Sequence, residues 1–255
     1  MTMNLLKKPQ HILYHSASRQ ILHAGQCFSP LYVQSNDAVC LAEINVARAA
    51  AKLAEFVAAT AGTEKWPKTN AEQSDEQSSP WYPVCEALIA KEEPIVTAEE
   101  AGSDTFPSGT YAFMALDTAE ADCAAAVSHW KDAASNFTAI PPSKTKGKEL
   151  YEKQHNVSFI AMYNPSENAS VDCRVVTCTQ TTTNAPAVPS SRNGGDEKKG
   201  YALLCMTTPD AFEDSKVPFS EEQWNKIKAS LTGSATAVAP SLLVFAIAAL
   251  GLAAL

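Results

Sequence analysis

Cysteine is the residue type with the most chemistry to offer in this chain, because thiols form disulfides, bind metal ions or act as nucleophiles. The seven cysteines are Cys27, Cys40, Cys85, Cys123, Cys173, Cys178 and Cys205. Cys173 and Cys178 are the one close pair, and no second close pair of Cys or His completes a zinc pattern. The six cysteines of the body, which exclude Cys27, therefore favour disulfides in an oxidising compartment, and the sequence leaves their pairing open.

Three acceptor triplets for N-linked glycans point to the same compartment. They begin at Asn136, Asn156 and Asn168, whereas Pro165 excludes the triplet that begins at Asn164. Such triplets also occur by chance, and they predict surface positions only in a secreted protein. Asn168 is the best placed of the three because it lies in an apparent turn.

The sequence contains no recognisable catalytic or metal-binding set. Three of the five histidines lie in the N-terminal segment, which leaves His129 and His155 in the body. His129 stands beside Trp130 in a helical pattern, and we interpret it as a packing or surface residue. The even number of body cysteines leaves no spare thiolate, and the chain has no glycine-rich phosphate loop or Gly-x-Ser-x-Gly elbow. We therefore predict a non-enzymatic protein without a cofactor.

The formal net charge of −8 argues against nucleic acid as a partner, because nucleic-acid binding needs a basic surface that releases phosphate counterions. One basic patch contains Lys144, Lys146, Lys148 and Lys153. A run of like charges does not identify a ligand, so a solvated loop is the favoured interpretation.

The stretch from Ala235 to Leu255 carries no charge and is about as long as a helix that spans a bilayer. A permanent span is normally followed by Lys or Arg, which are missing here. A glycosylphosphatidylinositol (GPI) anchor signal instead combines small residues at the attachment site with a short spacer and an apolar tail. The attachment candidates are Gly233, Ser234 and, secondarily, Ser230. A retained transmembrane tail is the alternative, and a buried core helix ranks last.

Residues 1–36 lack the uninterrupted apolar stretch of an export signal, because His, Ser, Arg and Gln break it up. We expect this segment to be disordered or atypical. A mis-assigned start of the coding sequence would explain it, and the alternative is a cytosolic N-terminus with the tail as a true anchor.

The elements that must position these residues are predicted from periodicity and capping. A helix over residues 39–60, capped by Asn36 or Asp37, contains no Gly or Pro and has a clear apolar face. A polar loop follows it, and a short helix then covers residues 80–91.

Two further helices begin with capping boxes. Asp117 with Glu120 precedes an alanine-rich helix that ends before Pro141. Ser220 with Gln223 precedes a final amphipathic helix.

Four strands are predicted, at residues 110–116, 157–163, 170–180 and 201–208. The second and third are expected to form a hairpin around a turn at residues 164–168. Residues 181–200 are predicted to be a loop by composition.

This order of elements predicts an α+β fold, with an antiparallel sheet of about four strands between helices. We expect one domain over residues 37–230, which follows the N-terminal segment 1–36 and precedes the anchor signal and apolar tail at residues 231–255.

Five stretches together resemble the SAG-family surface antigens of Eimeria-type coccidian parasites. They are CLAEINVARAAAKLAEF, AEADCAAAVSHWKDAASNFTAIPP, HNVSFIAMYNPSENASVDC, YALLCMTTP and EEQWNKI, which precedes the small-residue and apolar tail. Each motif is short, but together they cover most of residues 39–255.

The resemblance implies a variant of the CAP-like αβα sandwich (cysteine-rich secretory, antigen 5, pathogenesis-related), stapled by three disulfides. It also implies GPI-anchored display on the outer leaflet of the plasma membrane, with a host-cell surface ligand as partner in attachment. A CAP-like small-molecule or lipid-binding protein, retained by a transmembrane tail, is the alternative function.

CAP proteins often hold a metal ion with two His and two Glu, and the resemblance does not extend to those ligands. Asn45 and Arg48 match the His-Asn-x-x-Arg helix motif, but Ile44 stands at the histidine position. The later strand histidine aligns with Asn156, and His155 is displaced by one position. We therefore predict no metal site, because an aliphatic side chain offers no donor atom.

Overall fold

The chain contains both helices and strands, interspersed along the sequence. A computed structural model describes residues 32–34, 39–67, 81–91, 106–181, 197–213 and 215–233. Its strands are β1 (Tyr32–Gln34), β2 (Val57–Ala58), β3 (Thr110–Leu116), β4 (Ser170–Thr181) and β5 (Glu197–Thr208). Its α-helices are α1 (Leu41–Ala50), α2 (Trp81–Ala90), α3 (Cys123–Asp132), α4 (Lys148–Tyr151), α5 (Gln154–Met162) and α6 (Glu221–Gly233). This mixture confirms the predicted α+β class.

The five described strands form one sheet in the order β1-β4-β5-β3. All three neighbouring pairs in that row are antiparallel, and the two-residue β2 adds to β4 in parallel. The two long strands β4 and β5 are buried on both faces over most of their length, and the stretch YALLCM of β5 is continuously apolar as expected for such a strand.

Both faces of the sheet are covered, so the sheet lies between helices as predicted. One face packs against α1, α3, α5 and α6 through a core that includes Ile44, Phe159 and Trp224. The other face packs against α2 through an aromatic cluster that includes Trp66 and Trp81, whose ring centroids are 5.4 Å apart. Burial of this many large apolar side chains is the main favourable term in folding.

The first helix is shorter than predicted, because α1 ends at Ala50 instead of continuing to residue 60. The chain after it turns away through Lys52, which has a left-handed φ of 54°. Side chains of α1 form hydrogen bonds with backbone groups of the segment that follows the helix. In a longer helix these backbone groups would have bonded to other backbone groups of the helix itself. The predicted caps Asn36 and Asp37 lie outside the described residues.

The strand predicted at residues 157–163 is wrong, since residues 157–162 belong to α5 and Tyr163 is its C-cap. Seven of the nine α5 residues are buried, among them Phe159 and Ile160. A helix buried on most sides lacks the polar stripe that gives a 3.6-residue period, so an apolar run of this length could not be told from a strand. Residues 164–168 therefore link α5 to β4, and the predicted hairpin there is also wrong.

Capping was predicted correctly for one helix and wrongly for another. Ser220 and Gln223 form the predicted capping box of α6, with backbone-to-side-chain bonds of 2.9 and 3.2 Å. At α3 the cap is Asp122, whose carboxylate accepts from the Ala125 amide at 2.9 Å, instead of Asp117. Asp122 stands directly before α3, which is the position that a helix cap requires.

The free edge of β3 is protected by side chains from two helices. Ser158 Oγ accepts from the Phe113 amide at 3.0 Å, and Trp130 Nε1 donates to the Phe113 carbonyl at 2.8 Å. Gln154 Nε2 donates to the Tyr111 carbonyl at 2.8 Å. These bonds satisfy backbone groups that an edge strand otherwise leaves open to pairing with another chain.

Two predicted loops and both chain ends are described only in part. β4 continues to Thr181 and β5 already begins at Glu197, so the loop predicted at residues 181–200 is shorter than expected. Residues 182–196, the polar loop after residue 67, the N-terminal segment 1–31 and the tail 234–255 lie outside the described residues.

Candidate functional site

Three disulfides join all six cysteines of the body, which confirms that the fold is disulfide-stapled. The pairs are Cys40–Cys123, Cys85–Cys178 and Cys173–Cys205. The first links the beginnings of α1 and α3, the second ties α2 to β4, and the third joins β4 to β5. The bonded cysteines are 83, 93 and 32 residues apart in sequence, so each bond closes a long loop of the unfolded chain. Cys27 lies outside the described residues.

Helix α2 lies unusually close to β5 next to the second disulfide. Gly200 is the β5 partner of Cys178, and a Cβ atom built at Gly200 would lie 2.7 Å from the Leu88 carbonyl oxygen. Only glycine permits this approach, because the obstructing atom is backbone and cannot rotate away.

The Asn45 and Arg48 pair, which the family resemblance identified, holds the chain that follows α1. Asn45 Oδ1 accepts from the Phe56 amide at 2.8 Å, and Asn45 Nδ2 donates to the Phe56 carbonyl at 3.0 Å. Arg48 Nε donates to the Ala54 carbonyl at 2.7 Å. The two side chains thus supply hydrogen bonds to backbone groups of the segment after α1, which is a structural role.

Arg48 also connects α1 to the end of α5. Its Nη1 donates to the carbonyls of Met162 at 3.1 Å and Asn164 at 2.9 Å, and its guanidinium lies 3.6 Å from the centroid of the Phe56 ring. The side chain is fully buried, and this burial lowers the pKa of Arg48 to about 10. A cation is tolerated here because carbonyl dipoles and an aromatic face replace its hydration.

A second buried charge lies on the opposite face of the sheet. Arg174 Nη2 donates to Asp172 Oδ2 at 2.8 Å, and both residues are buried. The same carboxylate oxygen accepts from the Trp66 amide, and Trp66 Nε1 donates to the Asp172 carbonyl, both at 2.8 Å. This group fastens the segment around Trp66 to β4.

The two body histidines stack against each other at the surface. The rings of His129 and His155 have centroids 4.3 Å apart and an interplanar angle of 12°. His155 Nε2 donates to the His129 carbonyl at 2.5 Å, so Nε2 carries the hydrogen, since a carbonyl can only accept. His155 lies on helix α5. The alignment of this region with the histidine-containing strand of CAP proteins is therefore wrong.

The histidine pair does not extend into a metal centre in the described part of the chain. Over those residues, no group of three or more His, Cys, Asp or Glu side chains is arranged to hold an ion. Ile44, which stands at the position of a CAP metal ligand, is packed in the core with 1% of its surface exposed.

A cleft of about 600 Å³ opens between the end of α2, β3, α3 and β5. Its lining residues are Leu88, Lys91, Phe113, Met114, Ala115, Leu116, Asp117, His129, Lys199, Gly200 and Tyr201. Five of these eleven residues, including Lys91 and Asp117, are exposed, so a ligand here would stay largely hydrated. Carrier sites usually bury most of their ligand, and the cleft therefore offers little support for the small-molecule alternative.

The three glycan acceptors lie in different environments. Asn168 is exposed between α5 and β4, and Asn136 is exposed at the end of the turn after α3. Asn156 is completely buried, donates from Nδ2 to the Leu150 carbonyl at 2.8 Å, and accepts from Asn136 Nδ2 at 2.7 Å. The folded domain has no room for a glycan on the Asn156 amide.

The attachment candidates lie at or just beyond the end of α6. Ser230 is inside the last turn, is half-buried, and donates from Oγ to the Ile227 carbonyl at 2.7 Å. Gly233 is the last residue of α6, and Ser234 lies outside the described residues. Within the described ranges, no helix has both the length and the apolar character to cross a membrane.

The site residues that sequence reasoning missed are charged groups inside the core. Asp172 and Arg174 are two positions apart on one strand, so their side chains point to the same face of the sheet. This spacing of opposite charges inside an apolar strand was the available signal. Trp66 could not be linked to them from sequence, because 106 residues separate it from Asp172.

Comparisons with known proteins agree on one family. A family model described as the sporozoite surface antigen (SAG) protein domain matches residues 36–246. The sporulated oocyst TA4 antigen of Eimeria tenella is 30% identical over 130 residues, which are 49% of this chain and 47% of that protein. The match thus spans about half the length of this curated relative. No solved structure matches the chain, so the specific likeness to CAP proteins stays a prediction.

Proposed function

Because the chain belongs to the sporozoite surface antigen (SAG) family, we propose that it is a non-enzymatic parasite antigen held on the outer leaflet of the plasma membrane by a GPI anchor. We further propose that it takes part in host-cell attachment and immune recognition, with a host-cell surface ligand as partner. The attachment role rests on the family resemblance.

One observation carries the anchoring proposal. The last described helix ends at Gly233, and the uncharged stretch Ala235–Leu255 follows almost directly. Gly233, Ser234 and Ala235 are the small residues that an anchor signal requires, and the apolar tail follows them after a spacer that is shorter and less polar than the general pattern. Gly233 and Ser234 are better candidates than Ser230, because cleavage after Ser230 would remove the last residues of α6.

The covalent structure supports display outside the cell. Three disulfides connect helices and strands on both sides of the sheet, and such bonds persist in oxidising compartments. They also leave no thiolate among the described cysteines, which supports a non-enzymatic role.

The anchoring proposal predicts release by phosphatidylinositol-specific phospholipase C. When the full chain is displayed on transfected cells, enzyme treatment should move most of it into the medium, as it does for a known GPI-anchored control. A double variant, Gly233→Val with Ser234→Val, should lose this release because bulky residues block attachment. Ser230→Val should still be released. If the unchanged chain stays on the cells while the control is released, a transmembrane tail replaces the GPI proposal.

The exposure of the three acceptors predicts where glycans are attached. In protein exported from eukaryotic cells, Asn168 should carry a glycan and Asn156 should not, since the latter amide is buried and bonded to Leu150. Glycopeptide mass spectrometry gives the occupancy of each site. Asn168→Gln should remove one glycan, and Thr138→Ala, an exposed change, reports on the Asn136 triplet. A glycan at Asn156 in folded protein would contradict this assignment.

A further inference from the structure

We infer that the face formed by α1 and the last turn of α6 rests on the lipid headgroups of the membrane to which the protein is anchored, with Val46 as its central contact. This inference rests on the proposed anchoring through the residues that follow Gly233. It applies to a GPI anchor and to a retained transmembrane tail, because both tether the end of α6 to the membrane.

The first argument is the place where the chain leaves the described fold. Leu231, two positions before the end of α6, lines a groove of about 680 Å³ between α1 and α3. Val46 and Ala47 of α1 line the same groove. An anchor attached at Gly233 or Ser234 therefore joins the chain beside this groove.

The second argument is the apolar surface beside that exit point. Val46 has 71% of its surface exposed, the largest value among the large apolar residues that the structure describes. A second groove, of about 530 Å³, lies on its other side and includes Ala42 and Ala49. Val46 thus forms a ridge between two grooves, and an apolar ridge gains free energy when it is removed from water.

The charges around the ridge fit a zwitterionic lipid surface. Glu43, Lys131 and Asp132 line the groove beside Leu231 and Glu55 lines the second groove, so both signs of charge are present and acidic groups outnumber the single basic one. Strong binding to anionic lipid would instead call for a cluster of basic residues. Zwitterionic headgroups carry one positive and one negative charge, so they can contact both kinds of side chain.

Because the protein is tethered to the membrane, a weak contact between this face and lipid is enough to keep the face covered. A short linker holds the face at a high effective concentration relative to the membrane. The anchored protein can therefore cover this face with lipid even if the unanchored protein shows no measurable affinity for lipid.

The opposite end of α6 provides a matched control. Val217 is also an exposed valine, at 48%, and it precedes α6. The whole helix, about 20 Å long at its 13 residues, separates it from Gly233. Val217 should therefore stay in water when Val46 is on the membrane.

The test measures how fast an impermeant maleimide labels a cysteine at each position. Val46→Cys and Val217→Cys are each placed in the full chain with Cys27→Ser and displayed on cells. The reference is the same variant ending at Gly233 and secreted, which is the polypeptide that the proposed processing leaves. We expect Cys at position 46 to label roughly tenfold slower on cells than in the reference, as for a contact that is populated about nine-tenths of the time. The rate at position 217 should not change.

Equal labelling at position 46 in both forms overturns the inference. Slow labelling in both forms also overturns it, and a dimeric reference protein on size-exclusion chromatography would then identify a second copy as the cover. If Val46→Cys is not exported, Ala49→Cys repeats the measurement from the next turn of α1. Phospholipase resistance combined with slow labelling only on cells would remove the GPI anchor from the proposed function and leave the membrane contact standing.

Discussion

Replacing Arg48 by methionine is expected to lower the free energy of unfolding by about 3–5 kcal/mol, because two buried carbonyls and one partly buried carbonyl lose their donor. These carbonyls belong to Ala54, Met162 and Asn164. Methionine fills much of the same volume, so the loss reports on hydrogen bonds and on the contact with Phe56 more than on a cavity. Chemical denaturation of the disulfide-intact domain measures the change.

The matched variant for this prediction is Arg48→Lys. Lysine keeps the positive charge, but one ammonium group cannot reproduce the planar fork that reaches separate carbonyls. We expect a loss nearly as large as that of the methionine variant. If Arg48→Lys were neutral, the charge alone would matter and the hydrogen-bonding account of this residue would be wrong.

Replacing Asp172 by alanine is expected to cost about 3–5 kcal/mol, because it leaves the buried Arg174 without its partner. Arg174→Met should also destabilise the fold, because among the described residues the Trp66 amide would be the one donor left to the buried carboxylate. The double replacement of both residues should cost less than the sum of the two single changes, since it removes both buried charges at once.

An exposed ion pair provides the control for this cycle. Lys216 and Glu213 are 2.7 Å apart but keep 71% and 61% of their side-chain surface exposed. Glu213→Gln should change the free energy of unfolding by less than about 0.5 kcal/mol. Strict additivity in the Asp172 and Arg174 cycle would show that the two charges do not stabilise each other, and the structural account of this pair would fail.

These two predictions concern the stability of a displayed antigen. Arg48 ties α1 to the chain after α5, and Asp172 ties the segment around Trp66 to the sheet. Both contacts bring together residues that are more than 100 positions apart in sequence. Their loss is therefore expected to expose surface on both sides of the sheet, even when all three disulfides are intact.

Sequence reasoning was most successful where a local rule decides the structure. The strand β3 alternates apolar and small residues, and it was predicted with its observed bounds. The capping box of Ser220 and Gln223 was also correct, because both partners lie within one helical turn. The α+β class and the disulfide-stapled fold followed from the order of such elements and from cysteine number.

The sequence-based prediction was wrong where contacts between residues distant in sequence determine the secondary structure. The α5 helix looked like a strand because its contacts with β3 and α3 bury nearly all of it. The end of α1 was misplaced because Asn45 and Arg48 capture backbone groups that a helix would otherwise use. Neither effect leaves a local pattern, since tertiary packing overrides propensity.

The sequence by itself indicated the family through motifs that resemble those of SAG antigens, and the match of the SAG family model over residues 36–246 agrees. Its six body cysteines predict an oxidising compartment, and its apolar tail is the predicted anchor signal. The tertiary structure decided which cysteines pair, which acceptor is buried, and that Val46 lies beside the end of α6. These are statements about proximity. Proximity between distant residues depends on how buried surfaces fit together across the whole domain, and no single stretch of sequence encodes it.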